Sequence, residues 1–184
     1  VRAIMAMIIP AVAASMVGCS GGGNPISMVG TAGKVAFKVI RGAEAEVTPI
    51  RMGTPGSLAG YRTLQLGEVT TDVPPICTPQ VLTMVRGGIR KGLRHADVIK
   101  AFPGGGKTLR FDVQCRIYKE KGLLGGEGRL DWLVTLVDAE SNEEVGVVFI
   151  EGVSESALEY GADDIAEENT RELAKFLRKH NKRD

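Results

Sequence analysis

Residues 108–119 carry the clearest pattern in the chain. Leu109, Phe111, Val113, Cys115 and Ile117 alternate with Arg110, Asp112, Gln114 and Arg116. A period of two places successive side chains on opposite faces, so this segment predicts a strand with one buried and one wet face. Residues 129–138 and 145–152 read as two more strands, joined by the polar turn 139–144, while the glycine-rich 121–126 links the first strand to the second. Consecutive strands on short loops predict an antiparallel meander. Residues 61–69 predict an earlier core strand. A helix then follows, in which Val81, Val85, Ile89 and Leu93 recur every four residues with Leu82 beside them. Thr78 serves as its N-cap and Pro79 as its first residue, where a missing N–H matters least. Gly87 and Gly88 interrupt that helix at a cost of about 1 kcal/mol each relative to Ala. Their absent side chains predict close packing on a sheet. Residues 97–102 read as a return strand. A last helix over 163–181 turns Ile165, Leu173, Phe176 and Leu177 inward, with acids early and bases late, as the helix dipole favours.

The order from residue 61 onward is β-α-β-β-β-β-α. It predicts an α+β domain over 61–184: a twisted, mostly antiparallel sheet with two helices packed on one face. Its first β-α-β unit, if parallel, is expected to cross right-handed. Residues 34–60 read as an N-terminal extension with short strands at 35–40 and 46–52, closed by the Gly/Pro-punctuated 53–60.

The beginning of the chain follows different rules. Arg2 precedes an uncharged, mostly apolar run over residues 3–17, which ends in Gly18 and Cys19. Charged n-region, apolar h-region and a small residue before the cut make the order of a secretory signal. A spanning helix needs about 20 apolar residues. This run is shorter and contains Pro10, which would break a buried helix as well. Met16-Val17-Gly18-Cys19 resembles the lipobox of bacterial lipoproteins, with Met16 where Leu is usual. That resemblance implies a signal peptide over 1–18, cleavage before Cys19, and acyl chains on Cys19 that anchor the protein to a membrane. Ser20 after the cysteine, rather than Asp, implies the periplasmic side of an outer membrane. Residues 19–33 are rich in glycine and predict a flexible tether.

The domain pattern behind that lipobox is similar to small periplasmic lipoprotein domains of the curli-secretion, penicillin-binding-protein-activator and TolB N-terminal types. It also resembles lipoproteins in which a glycine-alternating strand precedes an Asp-ended one. Gly126-Glu127-Gly128-Arg129-Leu130 and Val134-Thr135-Leu136-Val137-Asp138 are those segments here. The resemblance implies a non-enzymatic envelope adaptor or assembly protein, with an envelope protein as partner. The alternative is a periplasmic enzyme or small-ligand binder with an unrecognised pocket.

Charge and composition narrow the partners. The net charge is +1, near neutral once Arg2 leaves with the signal, so nothing neutralises a phosphate backbone and no nucleic acid is expected. If Cys19 carries lipid, Cys77 and Cys115 remain as an even pair. An oxidising compartment lets such a pair bridge, and the alternative is two small buried residues. No cysteine–histidine cluster has metal-ligand spacing, and no cofactor is expected.

Two motifs imitate chemistry. Residues 101–108, from Ala101 to the Lys107-Thr108 pair, match a relaxed phosphate loop, but such a loop needs a helix at its Lys-Thr end. Here a strand begins there, so a tight turn and no nucleotide are expected. Asp138, Glu140 and Asn142 have the spacing of a calcium loop, yet its glycine and closing glutamate are replaced by Glu143 and Phe149. That stretch reads as an acidic hairpin turn. Asp131 beside Trp132 reads as an outward-facing strand acid. No nucleophile stands near His95 or His180 in sequence, and no enzyme activity is expected. Leu123 and Leu124 form an apolar pair in a strand connection. They serve either as contact anchors for a partner or as residues folded back on the sheet edge.

Overall fold

A computed structural model describes residues 42–54, 56–120, 126–154 and 161–181. Its five strands are β1 (Ala43–Met52), β2 (Tyr61–Thr71), β3 (Lys107–Lys119), β4 (Gly128–Asp138) and β5 (Glu144–Ser154). Its three helices are α1 (Pro79–Leu93), α2 (Ala96–Ala101) and α3 (Ala162–Asn181). The strands form one sheet in the order β1-β5-β4-β3-β2. Only β2 and β3 run parallel; the other three pairings are antiparallel. The class is α+β, with the meander of β3, β4 and β5 at its centre.

Alternation decides the two faces. Leu109, Phe111, Val113 and Cys115 of β3 are buried, as are Leu130, Trp132, Val134 and Leu136 of β4 and Val148 and Ile150 of β5. Fully burying one such large apolar side chain contributes roughly 1.5–3 kcal/mol. α3 lies on this face: Asn169 Nδ2 donates to the Leu130 carbonyl at 3.1 Å, and Gly152 leaves room for Ile165 and Asn169. α1 lies beside α3, burying Val81, Val85 and Ile89. Thr78 caps α1 by accepting from the Val81 N–H at 3.4 Å.

Three expectations change. The segment 97–102 is the short helix α2 and its C-cap, not a strand. Because β2 pairs directly with β3, no gap exists between them for a return strand. The crossover runs over the sheet as helix, burying Val98 and leaving Ile99 54% exposed. Next, residues 43–52 are not confined to an extension before the domain, since β1 pairs with β5 along nearly its whole length. Leu58, in the turn after it, joins the core. Finally, Gly88 packs on a helix rather than on the sheet, as does Gly92, while Gly87 has open space beside it. A Cβ on Gly88 would strike the Asp163 carbonyl and come within 2.8 Å of Ala166, and one on Gly92 would lie 2.8 Å from Thr170 Cβ.

Candidate functional site

Tyr61 opens β2, Lys107 opens β3 and Asp138 closes β4, and the sheet register brings all three to one end. The buried Tyr61 hydroxyl donates to Asp138 Oδ2 at 2.7 Å. Asp138 Oδ1 accepts from the backbone N–H groups of Glu140 and Ser141 at 2.9 and 3.0 Å. Lys107 Nζ lies 3.6 Å from Asp138 Oδ2 and 5.7 Å from the centre of the Tyr61 ring. The Tyr61 hydrogen bond, then the two backbone donors, then Lys107 hold the Asp138 carboxyl well below its usual range. Burial, followed by the carboxylate beside it, pushes the Tyr61 phenol far above its ordinary value.

Chemically this arrangement is a clasp. A general base needs a free lone pair near a substrate proton. Asp138 Oδ2 accepts from Tyr61 and Oδ1 from the two turn N–H groups, and a carboxyl held below its usual range is a weak base. Lys107 is a surface partner of that carboxylate, and the strand that starts with it leaves no helix N-terminus for a phosphate. The glycines before it supply the turn: Gly104 and Gly105 have φ of 86° and 72°, a region that costs Gly little. Asp138 caps the hairpin turn, while Asn142 accepts from Arg110 at 2.9 Å with φ of 59°. Among the described residues no group of three or more His, Cys, Asp or Glu side chains could hold a metal.

A second charged group lies on the sheet face away from the helices. Arg129 Nε donates to both Asp131 oxygens, at 3.0 and 2.8 Å, and its Nη2 reaches Glu151 at 2.6 Å. Asp131 does point away from the helices, but it is fully buried beneath Arg129 rather than wet.

The other singled-out residues are dispersed. Cys77, immediately before the α1 cap, and Cys115, in β3, are joined by a disulfide with Cα atoms 6.5 Å apart. His95 stands at the α2 N-cap, 3.6 Å from Asp97, and His180 stacks against Phe176 at a centroid distance of 4.3 Å. Cys19, Leu123 and Leu124 lie outside the described residues. Sequence reasoning missed the partnership of Tyr61 with Asp138. Asp138 before a polar turn signals a cap, but nothing local points to a tyrosine 77 residues away.

No protein-family model and no curated protein matches the chain. Solved structures similar to it include two of PelC. The PelC dodecamer from Paraburkholderia phytofirmans matches at 11% identity and a TM-score of 0.43, and a single-residue variant of it at 12% and 0.41. Each match covers 77% of this chain and 99% of the other. At those values neither likeness assigns a function. Both are PelC, not curli-secretion, penicillin-binding-protein-activator or TolB proteins.

Proposed function

We propose that this protein is a membrane-anchored lipoprotein on the periplasmic side, in the outer membrane, whose α+β domain serves as a non-enzymatic adaptor or assembly protein. One observation carries the reading: Met16-Val17-Gly18-Cys19 ends an apolar run that follows Arg2. The glycine-rich residues after it suit a spacer between membrane and domain. Two further features are compatible with an adaptor. The strongest polar contacts, around Asp138 and Asp131, fasten strands and turns, and the disulfide suits an oxidising compartment. Among the described residues no helix is long and apolar enough to cross a membrane.

A single acyl chain binds membranes only marginally, at about 0.8 kcal/mol per buried methylene, and durable anchoring takes two signals. A lipoprotein cysteine carries a diacylglycerol, which meets that need. Mass spectrometry of the protein from membranes is expected to find a lipid-modified Cys19 with residues 1–18 removed. Cys19→Ala is expected to block lipid attachment, leaving a leader-bound precursor or a soluble periplasmic form. An unmodified Cys19 inside an intact cytoplasmic chain would overturn the reading.

A further inference from the structure

The near-neutral total charge conceals a segregation. α1 and its C-cap carry four cations, Arg86, Arg90, Lys91 and Arg94, and no acid lies between Pro79 and Arg94. Lys91 is occupied, 2.8 Å from Glu167 and 3.4 Å from Asp164 of α3. The other three are spaced by four residues, so at about 100° per residue they share an arc of roughly 80°. Gly88 and Gly92, which face α3, lie on the opposite side of the helix. All three arginines are exposed, and among the described residues none makes an ion pair. Arg86 makes one anchoring contact, from Nη2 to the Val69 carbonyl of the edge strand β2 at 2.7 Å.

Favourable placement near a helix C-terminus explains Arg90 and Lys91. It does not explain Arg86 or the lack of any acid along the helix. We infer that the Arg86–Arg90–Arg94 stripe is an interaction surface for anionic phospholipid headgroups, which orients the tethered domain against its membrane. The inference rests on the membrane-anchored reading. The stripe runs along a ridge, with Gly87 beside it adding no side chain, and a ridge meets an extended charged surface rather than enclosing a small anion. Nucleic acid fits poorly, because α1 offers no aromatic side chain for stacking. Each arginine near an anionic bilayer is worth roughly a fivefold gain in partitioning. A tether that keeps the domain at the surface lets such weak contacts count.

The test uses the full chain carrying Cys19→Ser, which takes no lipid, with vesicles of phosphatidylcholine alone or mixed with phosphatidylglycerol. The leader, with Arg2, is the same in every variant, so differences between variants read the charge of the folded domain. Binding is expected to favour the phosphatidylglycerol vesicles and to lose that preference as salt rises past the screening range. Arg90→Gln with Arg94→Gln is expected to reduce the preference about twenty-five-fold. Arg178→Gln with Lys179→Gln, an equal charge loss on α3, is expected to leave most of it. Equal binding to both vesicles, an equal loss in the α3 control, or a salt-independent preference would overturn the proposal. Capture by poly-glutamate in preference to the vesicles would make the stripe a protein-binding surface and overturn it too. Failure here leaves lipid on Cys19 untouched, because mass spectrometry reads that separately.

Discussion

Tyr61 and Asp138 show how one hydrogen bond can tie distant parts of the chain. Removing the hydroxyl leaves a buried carboxylate short of a donor, so Tyr61→Phe is expected to cost about 2 kcal/mol near neutral pH. The pH dependence follows from the two shifts. Asp138 is depressed from its ordinary 3.8, so its contribution is present above that value and lost as pH falls toward its folded value. Tyr61 is raised from its ordinary 10.0, so its contribution is present below that value and lost as pH rises toward its folded value. Urea unfolding of the wild type and Tyr61→Phe across pH is expected to show their largest difference between those limits. An equal difference at strongly acidic pH would mean that the phenol contributes only packing. The Arg51–Glu144 and Lys175–Glu172 pairs are exposed by comparison and add little.

Among the elements, α1 depends on two adjacent glycines with opposite roles. A Cβ on Gly88 would run into α3, whereas one on Gly87 has nothing within 4 Å. Gly88→Ala is therefore expected to destabilise by about 1–3 kcal/mol through overpacking, less the helix-propensity gain. Gly87→Ala is expected to stabilise by up to about 1 kcal/mol, because only that gain remains. Denaturation midpoints of the two variants falling on opposite sides of wild type would confirm the contact, and a shared direction would refute it. The sheet edges show related care. β2 has an irregularity between Leu66 and Val69, where the Glu68 N–H turns inward to Asp112 Oδ1 at 2.9 Å. β1 has Pro49 and a register shift beside it. Irregular edges and proline discourage pairing with another chain.

At the level of the whole molecule, the parallel crossover is held by more than packing. The Cys77–Cys115 bridge closes a loop of 38 residues that contains α1, α2 and the turn before β3. Loop-closure entropy for that length gives a stabilisation of about 3–4 kcal/mol. The double substitution Cys77→Ser and Cys115→Ser is expected to lower the unfolding free energy by that order, and reduction of the wild type to act in the same direction. Identical unfolding curves with and without reductant would show that the bridge contributes nothing. At the far end of the fold, the Gly56 N–H donates to the His180 carbonyl at 2.9 Å, and Asn181 Nδ2 donates to the Tyr61 carbonyl at 3.2 Å. The end of α3 is thereby fastened to the turn that leads into β2.

The sequence by itself determined the central meander, both long helices and the α+β class. Period-two alternation in β3 and four-residue spacing in α1 are local consequences of which side chains must leave water. It also determined that Lys107 opens a strand, because the alternation begins beside it. The proposed leader and Cys19 rest on the same kind of local pattern and lie outside the described residues. Only the tertiary structure decided the fate of residues 96–101, since Val98 and Ile99 suit either a strand or a short helix until the pairing of β2 with β3 is known. It alone placed β1 at the sheet edge, where Ala43, Ala45 and Val47 pack against the core beneath α3. Partners far apart in sequence were equally hidden: Tyr61 with Asp138, Cys77 with Cys115, and Gly88 with Ala166. A periodic pattern records which side of an element is buried. It carries no record of what lies against that side, because that depends on strand order and helix placement fixed by the whole chain.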